Sequence, residues 1–290
     1  MPVAIVTGSN KGIGFAIVRA LCKKFEGDVY LTSRDEARGQ AALETLRQEG
    51  LHPKFHVLDI GNEDTIVKLR DFIKEKYGGI DILINNAGIA FKQDATEPFA
   101  VQAKVTLETN YWANKRACQI LFPLLTAGAR VVNVSSSLGF LGHLTSRAAP
   151  ENKAKAEELT RILSSPELSE AELDGLMRDF VSSANTGNHQ HHGWLNSTYA
   201  TSKLGWSALS RIQQREMARD EREDIVINHV HPGYVDTDMS SHKGSLTIDR
   251  GAESSVFAAL LPPQTEVRGD FIWHDCQVLD WVNGPLPAFV

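Results

Sequence analysis

The chain has 290 residues, of which 42% are hydrophobic and 23% charged, so it can bury a sizeable core. Its formal net charge of −6 disfavours nucleic acid as a partner, because phosphate binding needs a basic face. No apolar run approaches the roughly 18 residues needed to span a membrane, and the N-terminus lacks a signal-peptide pattern. Three widely spaced cysteines without metal-ligand spacing favour reduced thiols, so we expect a cytoplasmic protein.

Strand-like and helix-like segments alternate through the first half of the chain. Short apolar runs predict strands at residues 3–6, 29–32, 55–58, 82–84 and 131–134. Helical spacing predicts helices at residues 13–22, 36–49 and 66–73, and a long helical region at about 100–125. This alternation indicates a parallel sheet covered by helices on both faces, which binds ligands at the carboxyl ends of its strands.

The alternation stops after Ser137, and a helix is next predicted with strength at residues 198–219. Between them, Ser169 and Glu172 fit a capping box, followed by an apolar stripe from Leu173 to Val181. We interpret residues 144–197 as a helical insertion, too short for a core of its own, within one domain spanning residues 1–290. Strands at 226–230 and 271–273 and a helix at 252–261 complete an α/β, doubly wound, seven-stranded parallel sheet of the Rossmann type.

A glycine-rich loop with the sequence TGSNKGIG follows the first predicted strand at residues 7–14. Glycines there permit a tight turn and let a pyrophosphate approach the backbone at the positive end of a helix. The spacing alone is a weak signal, and its position between a strand and a helix strengthens it. We assign six loop residues to cofactor binding: Gly8, Asn10, Lys11, Gly12, Ile13 and Gly14.

The second predicted strand ends in Ser33 and Arg34, where an NAD enzyme usually places an acid. An arginine at this position suits a 2′-phosphate, so Arg34 and Arg38 favour NADP, with Lys11 as a further cation. Asp35 lies next to Arg34, which keeps NAD or dual use open as an alternative.

Polar residues also end the next two predicted strands. Asp59 is positioned to accept a hydrogen bond from an adenine amino group, and Asn86 to hold backbone or a cofactor ribose. Each residue taken singly is equally typical of a turn.

Tyr199 and Lys203 are four residues apart on a predicted helix and therefore share a face. A lysine ammonium beside a phenol lowers the pKa of the phenol, which then donates a proton to a carbonyl oxygen as hydride reaches the carbon. Ser136 ends the fifth predicted strand and can hold the substrate carbonyl. Asn110 lies in a helical stretch, where a buried amide needs a partner such as water or a backbone carbonyl.

These motifs occur in the order found in the short-chain dehydrogenase/reductase family, which the chain resembles over almost its whole length. The similarity includes the glycine loop, GGIDILINNAGIAF at residues 78–91, VVNVSS at 131–136, and Pro232-Gly233 followed by Thr237. These segments and the insertion look most like the animal cytosolic carbonyl reductases.

The resemblance implies NADPH as the reductant and quinones, aldehydes and ketones as small-molecule substrates. It implies that Tyr199 is the acid, that Lys203 lowers its pKa and binds the nicotinamide ribose, and that Ser136 orients the carbonyl. Asn110 would anchor a proton-relay water. Four further residues are assigned to the cofactor: Pro232, Gly233, Val235 and Thr237. An insertion over the surface that relatives use for oligomerisation implies a monomer.

Alternative functions are a hydroxysteroid- or prostaglandin-type dehydrogenase and a non-catalytic NADP(H)-binding sensor. Trp194, five residues before Tyr199, either lines the substrate mouth or packs in the core. His189, His191 and His192 suggest zinc, but their polar surroundings favour a solvated loop, so we predict no metal. His231 departs from mammalian members, which typically carry a cysteine there.

Overall fold

The computed structural model describes residues 1–285 and contains an eight-stranded sheet in the order β3-β2-β1-β4-β5-β6-β7-β8. The strands are β1 (Val3–Val6), β2 (Asp28–Ser33), β3 (Lys54–Val57), β4 (Ile80–Asn85), β5 (Leu125–Val134), β6 (Val226–Val230), β7 (Phe271–Ile272) and β8 (Val278–Leu279). Neighbouring strands are parallel throughout β1 to β7, which confirms the predicted doubly wound α/β fold. The count of seven is corrected to eight, because β8 pairs antiparallel with β7 and its two residues are too short to form a sequence pattern.

The helices connect the strands on both faces of the sheet. They are α1 (Gly12–Lys24), α2 (Glu36–Gln48), α3 (Glu63–Tyr77), α4 (Phe99–Leu107), α5 (Asn114–Leu121), α6 (His143–Ser146), α7 (Lys153–Ser164), α8 (Glu170–Asn185), α9 (Thr198–Met217) and α10 (Ile248–Ala259). A π-helical turn at Glu108–Ala113 joins α4 to α5, so the long helical region predicted at about 100–125 is two helices around an irregular turn.

Two apolar clusters fill the space between the sheet and its helices. Val3 and Ile5 belong to one cluster, whereas Ala4 and Val6 belong to the other. Successive side chains of a strand point to opposite faces, so a strand buried on both faces is apolar at every position. The uninterrupted run of β1 is therefore explained by its central place in the sheet.

Helix α8 lies between β5 and α9 in the chain and packs on the helices α4 and α9. Its N-terminus carries the predicted capping box between Ser169 and Glu172. Leu173, Met177 and Phe180 from the predicted stripe are completely buried. This helix therefore extends the core on one side of the sheet.

Polar contacts also hold α8 in place. The Lys115 ammonium lies 2.7 Å from a carboxylate oxygen of Glu170 and 2.6 Å from one of Asp174. Tyr111 donates its hydroxyl hydrogen to the other oxygen of Asp174 at 2.9 Å.

Within residues 1–285, no helix has the length and apolarity needed to cross a membrane.

Candidate active site

A cavity of about 860 Å³ opens at the carboxyl ends of β5, β6 and β7. The cavity is lined by Ser136 and Ser137 after β5, by His231 after β6 and by Trp273 after β7. Tyr199, near the start of α9, contributes to the same wall. The site therefore lies at the strand ends where a doubly wound sheet is expected to bind ligands.

The glycine loop between β1 and α1 is a tight turn that side chains would obstruct. Gly8 and Gly12 have φ angles of +60° and +59°, a left-handed conformation that favours glycine. A Cβ atom at Gly14 would lie 2.5 Å from the side-chain nitrogen of Asn86. That nitrogen donates to the carbonyl oxygens of Thr7 and Gly8 at 2.9 and 3.0 Å. Asn86 therefore holds the loop closed from the end of β4.

The N-terminus of α1 has the features of an anion site. Lys11 is its N-cap residue but makes no capping hydrogen bond with its side chain, and the first turn contains no acid. The first N–H groups and the positive end of the helix dipole are consequently available to a pyrophosphate. The Lys11 ammonium instead pairs with Asp238 at 2.6 Å, which ties the glycine loop to the segment after β6.

The end of β2 presents two arginines and an acid that is already engaged. Asp35 is the N-cap of α2 and accepts a hydrogen bond from the backbone N–H of Arg38 at 2.9 Å. Its other oxygen lies 3.7 Å from the side chain of Arg38. Arg34 is exposed and has no side-chain partner among residues 1–285. Because Asp35 is engaged as a cap, the surroundings favour a 2′-phosphate over a ribose hydroxyl.

Asp59 follows β3, and one of its carboxylate oxygens accepts a hydrogen bond from the backbone N–H of Gly61 at 2.9 Å. Its backbone is held by the hydroxyl of Thr65, which donates to the Asp59 carbonyl at 2.8 Å. The carboxylate is thus fixed at the strand end, and its second oxygen has no hydrogen-bond partner in the described part of the chain.

Tyr199, Ser136 and Lys203 are brought together where α9 crosses the end of β5. The Ser136 hydroxyl lines the same cavity as the Tyr199 phenol and accepts from the backbone N–H of Leu138 at 3.2 Å. The Lys203 ammonium lies 5.8 Å from the centre of the Tyr199 ring and donates to the carbonyl oxygen of Val134 at 2.7 Å. A strand end and one face of a helix thus place three polar groups in one corner.

The pKa values in this corner differ from the expectation of a lowered tyrosine pKa. Burial raises the pKa of Tyr199 to about 12, and the polar Ser136 hydroxyl opposes that rise. Burial lowers the pKa of Lys203 to about 8. Lys203 is directed at Val134 rather than at the phenol oxygen, so its charge does not lower the pKa of Tyr199 here. At neutral pH the tyrosine is protonated and the lysine is mostly charged.

Asn110 lies in the π-helical turn and is fully buried. Its side-chain oxygen accepts from the backbone N–H of Ile89 at 2.8 Å, and its nitrogen donates to the Ile89 carbonyl at 2.9 Å. The nitrogen also donates to the hydroxyl of Ser202 at 3.0 Å. The buried amide is thus satisfied by a backbone segment and by α9, so Asn110 fixes the chain after β4 against the Tyr199 helix.

The segment after β6 reaches from the cavity to the glycine loop. Gly233 has a φ of +89°, and Val235 is buried against Gly251. The methyl group of Thr237 lies 3.4 Å from the position that a Cβ of Gly12 would take. Ile13, Pro232, Gly233, Val235 and Thr237 all line the cavity, so the structure brings these predicted cofactor residues together.

Trp194 lies in the core rather than at the substrate mouth. It is 3% exposed, and its indole N–H donates to Asp179 at 2.9 Å. Its ring packs on Phe180 with ring centres 5.6 Å apart. Trp194 is absent from the cavity lining within the described part of the chain, and ordinary packing accounts for its position.

The three histidines before Trp194 bond to three different side chains. His189, His191 and His192 lie 3.0 Å from oxygens of Asn196, Asn152 and Asp179, respectively. No group of three or more potential metal ligands occurs in residues 1–285.

Several cavity residues had no signal in the sequence. Trp273 and His274 follow a two-residue strand, so only the fold places them in the same cavity as Tyr199.

Trp281 donates its indole N–H to the carbonyl oxygen of Gly139 at 2.8 Å and so fastens the C-terminal segment to the serine loop, which is the segment of residues 135–139 after β5. Sequence reasoning found no role for residues 281–290, and residues 286–290 lie outside the described structure.

Comparison with known proteins identifies the class. The sequence profile of the short chain dehydrogenase family matches residues 2–168 and 180–246. The chain therefore belongs to this family, as its motifs predict.

Its similarity extends to individual members. The chain is 47% identical over 281 residues to carbonyl reductase (NADPH) 3 of Rattus norvegicus, covering 96% of this chain and 98% of the relative. It is 46% identical over 272 residues to carbonyl reductase (NADPH) 1 of Homo sapiens, covering 93% and 95%. Among solved structures, salutaridine reductase from Papaver somniferum has a TM-score of 0.81 and 30% identity, covering 95% of this chain and 100% of that chain.

Proposed function

We propose that this protein is an NADPH-dependent carbonyl reductase that converts quinones, aldehydes and ketones to alcohols. The observation that carries the proposal is that Ser136 and Tyr199 line one cavity, which extends to the glycine loop at Ile13. Relatives that share almost half of their residues with this chain over nearly their full length are carbonyl reductases with NADPH in their names.

The residues at the strand ends fit a dinucleotide cofactor. The uncapped N-terminus of α1 would hold the pyrophosphate, and Arg34 and Arg38 the 2′-phosphate. Asp59 would accept from the adenine, while Asn86 keeps the glycine loop in shape. Bound NADPH supplies the hydride that a carbonyl carbon receives.

The protein's own residues supply the proton and the orientation. Tyr199 donates its phenolic proton to the carbonyl oxygen, and a pKa of about 12 keeps the phenol protonated at neutral pH. Ser136 donates a second hydrogen bond to the same oxygen, which favours the developing charge. Lys203 and Asn110 are positioning residues, and the charged Lys203 ammonium would bind the nicotinamide ribose.

The walls of the cavity suit an apolar carbonyl compound. The cavity lining also contains aromatic and thioether side chains, namely Trp273, Tyr234, Phe91 and Met239. Such a lining buries rings by apolar contact and leaves orientation to a few hydrogen bonds. This division fits a reductase that accepts many carbonyl compounds.

The decisive test is loss of NADPH absorbance with menadione as substrate, with NADH in parallel. Oxidation of NADPH in preference to NADH supports the proposal. No oxidation with either cofactor across several quinones and aldehydes would favour a narrow dehydrogenase or a cofactor sensor. Tyr199→Phe is expected to lose at least about 100-fold in kcat while still binding NADPH. Equal loss of NADPH binding would make Tyr199 a structural residue.

The proposal extends to the state of the protein in the cell. Cys22, Cys118 and Cys276 are all free, which suits the reducing cytoplasm. We propose one domain with residues 144–197 inserted into it, and a monomer, because α8 covers the outer face of α4. Sedimentation of the purified protein tests the monomer.

A further inference from the structure

His231 is a cavity residue that the mechanism above does not use. It follows β6 and is 7% exposed, and it lines the same cavity as Ser136 and Tyr199. Its ring is packed against Trp273 with ring centres 4.3 Å apart and against His274 at 6.0 Å. The ring therefore has little freedom to turn.

The backbone around His231 determines which ring nitrogen carries the hydrogen. Its Nδ1 atom accepts from the backbone N–H of Ser137 at 3.0 Å and faces that of Gly233 at 3.4 Å. Backbone N–H groups only donate, so Nδ1 must be unprotonated and the hydrogen of the neutral ring lies on Nε2. Burial, with a smaller effect of His274, lowers the pKa of His231 to about 3.

The Nε2–H group has no partner among residues 1–285, although its ring lines the cavity. A fixed, neutral hydrogen-bond donor therefore faces the substrate space. Its anchor, Ser137, directly follows Ser136, and both serines line the same cavity as His231, so the donor and the hydroxyl proposed to hold the reacting carbonyl share one substrate space. An acceptor atom close to that carbonyl is what such a donor would bind.

We propose that His231 determines specificity by donating from Nε2 to a second oxygen on the substrate, next to the carbonyl that is reduced. The preferred substrates are then vicinal dicarbonyls, such as α-diketones and ortho-quinones, over monoketones of the same shape. This inference rests on the proposed carbonyl reduction. Because the ring stays neutral, the preference is constant from pH 5 to pH 8, which is about two to five units above its pKa.

The test compares benzil with deoxybenzoin, which differ by one carbonyl oxygen, in NADPH oxidation by the wild type and two variants. His231→Asn keeps an acceptor near Nδ1 and removes the donor at Nε2. It is expected to lower kcat/KM for benzil by about tenfold and to leave deoxybenzoin within about twofold, as loss of one hydrogen bond predicts. His231→Gln keeps a donor near Nε2 and is expected to retain most of the preference for benzil.

Equal losses on both substrates in the Asn variant, or no loss, would overturn the inference and leave His231 a support for the serine loop. A wild type that oxidises NADPH with menadione but shows no preference for benzil over deoxybenzoin would overturn it as well. A wild type inactive with menadione, benzil and every other carbonyl compound would instead refute the proposed function.

Discussion

The side-chain amide of Asn86 occupies the space that a side chain at position 14 would need. Its nitrogen bonds to two carbonyl oxygens of the glycine loop, so one asparagine joins the end of β4 to the start of α1. The close approach explains why glycine is required at position 14, which has no positive φ angle.

Gly14→Ala is expected to destabilise the protein by about 1–3 kcal/mol, because the new methyl group overlaps Asn86 and the loop backbone. Urea unfolding of the variant and measurement of NADPH affinity check this, and both are expected to fall. Gly175→Ala is the matched control, since nothing lies within 4 Å of a Cβ atom there in α8. Wild-type stability in the Gly14 variant would mean that the loop adjusts freely.

Arg34→Asp is expected to weaken NADPH binding and to raise the preference for NADH by at least about tenfold, because the 2′-phosphate loses a cation and meets an acid. The ratio of kcat/KM for the two cofactors measures the change. Arg47→Asp makes the same change of charge at the opposite end of α2 and controls for long-range electrostatics. An unchanged ratio in the Arg34 variant would remove Arg34 from the phosphate site.

The pH dependence of kcat/KM should report Lys203. Lys203 is charged below its pKa of about 8 and neutral above it, so reduction of menadione is expected to decline as pH rises through 8. Tyr199, with a pKa of about 12, stays protonated across this range. Lys203→Arg keeps its charge and is expected to remove the decline, whatever its absolute rate. A variant that retained the wild-type profile would assign the decline to another group.

His229 should make the protein sensitive to acid. Its side chain is completely buried, and burial lowers its pKa to about 3 from 6.5. In the unfolded chain His229 binds a proton below pH 6.5, whereas in the folded protein it binds one only below about pH 3. Stability contributed by this site is therefore complete above pH 6.5 and falls by up to about 1.4 kcal/mol per pH unit between these limits.

Replacing His229 by Leu removes that titration and leaves an apolar side chain beside Phe271 and Trp281. The loss of unfolding free energy between pH 7 and pH 5 is expected to be smaller in this variant than in the wild type, as urea titrations at both pH values would show. His52→Leu, at an exposed position, is the control and should leave the pH dependence unchanged.

The site residues at strand ends were predictable because the functional residues of a parallel sheet lie at the carboxyl ends of its strands. Ser136 and Asn86 follow strands, and Tyr199 lies in the first turn of a helix, and the patterns of these elements are plain in the sequence. The Lys11–Asp238 pair joins residues 227 positions apart, and no local pattern relates them. Trp194 was equally ambiguous, since its closeness to Tyr199 in the chain says nothing about its partner Asp179.

The π-helical turn at Glu108–Ala113 also left no trace in the apolar spacing. Within this turn Asn110 bonds to Ile89 and Ser202, which are distant in the chain, so no local pattern could reveal these contacts. The lowered pKa expected for Tyr199 failed for a similar reason. Sequence spacing placed Lys203 on the same face, but burial and the direction of its ammonium decide the effect.

Phe180 tests whether α8 is an integral part of the core. Its ring is fully buried and meets Phe99, His189 and Trp194 edge to face, with ring centres 5.6–6.3 Å apart. Phe180→Glu would bury an unpaired charge, so α8 is expected to detach and expose the apolar faces of α4 and α9. Light scattering should then show a larger mass for this variant than for the wild type.

Ser182→Glu adds the same charge at an exposed position of α8 and should remain monomeric and fully stable. The double variant Leu176→Glu/Phe180→Glu should associate more strongly than Phe180→Glu, because Leu176 is partly buried on the same stripe. If both Phe180 variants stayed monomeric with wild-type unfolding curves, α8 would be an accessory helix. The proposed monomer would then have to be explained by a surface other than the one that α8 covers.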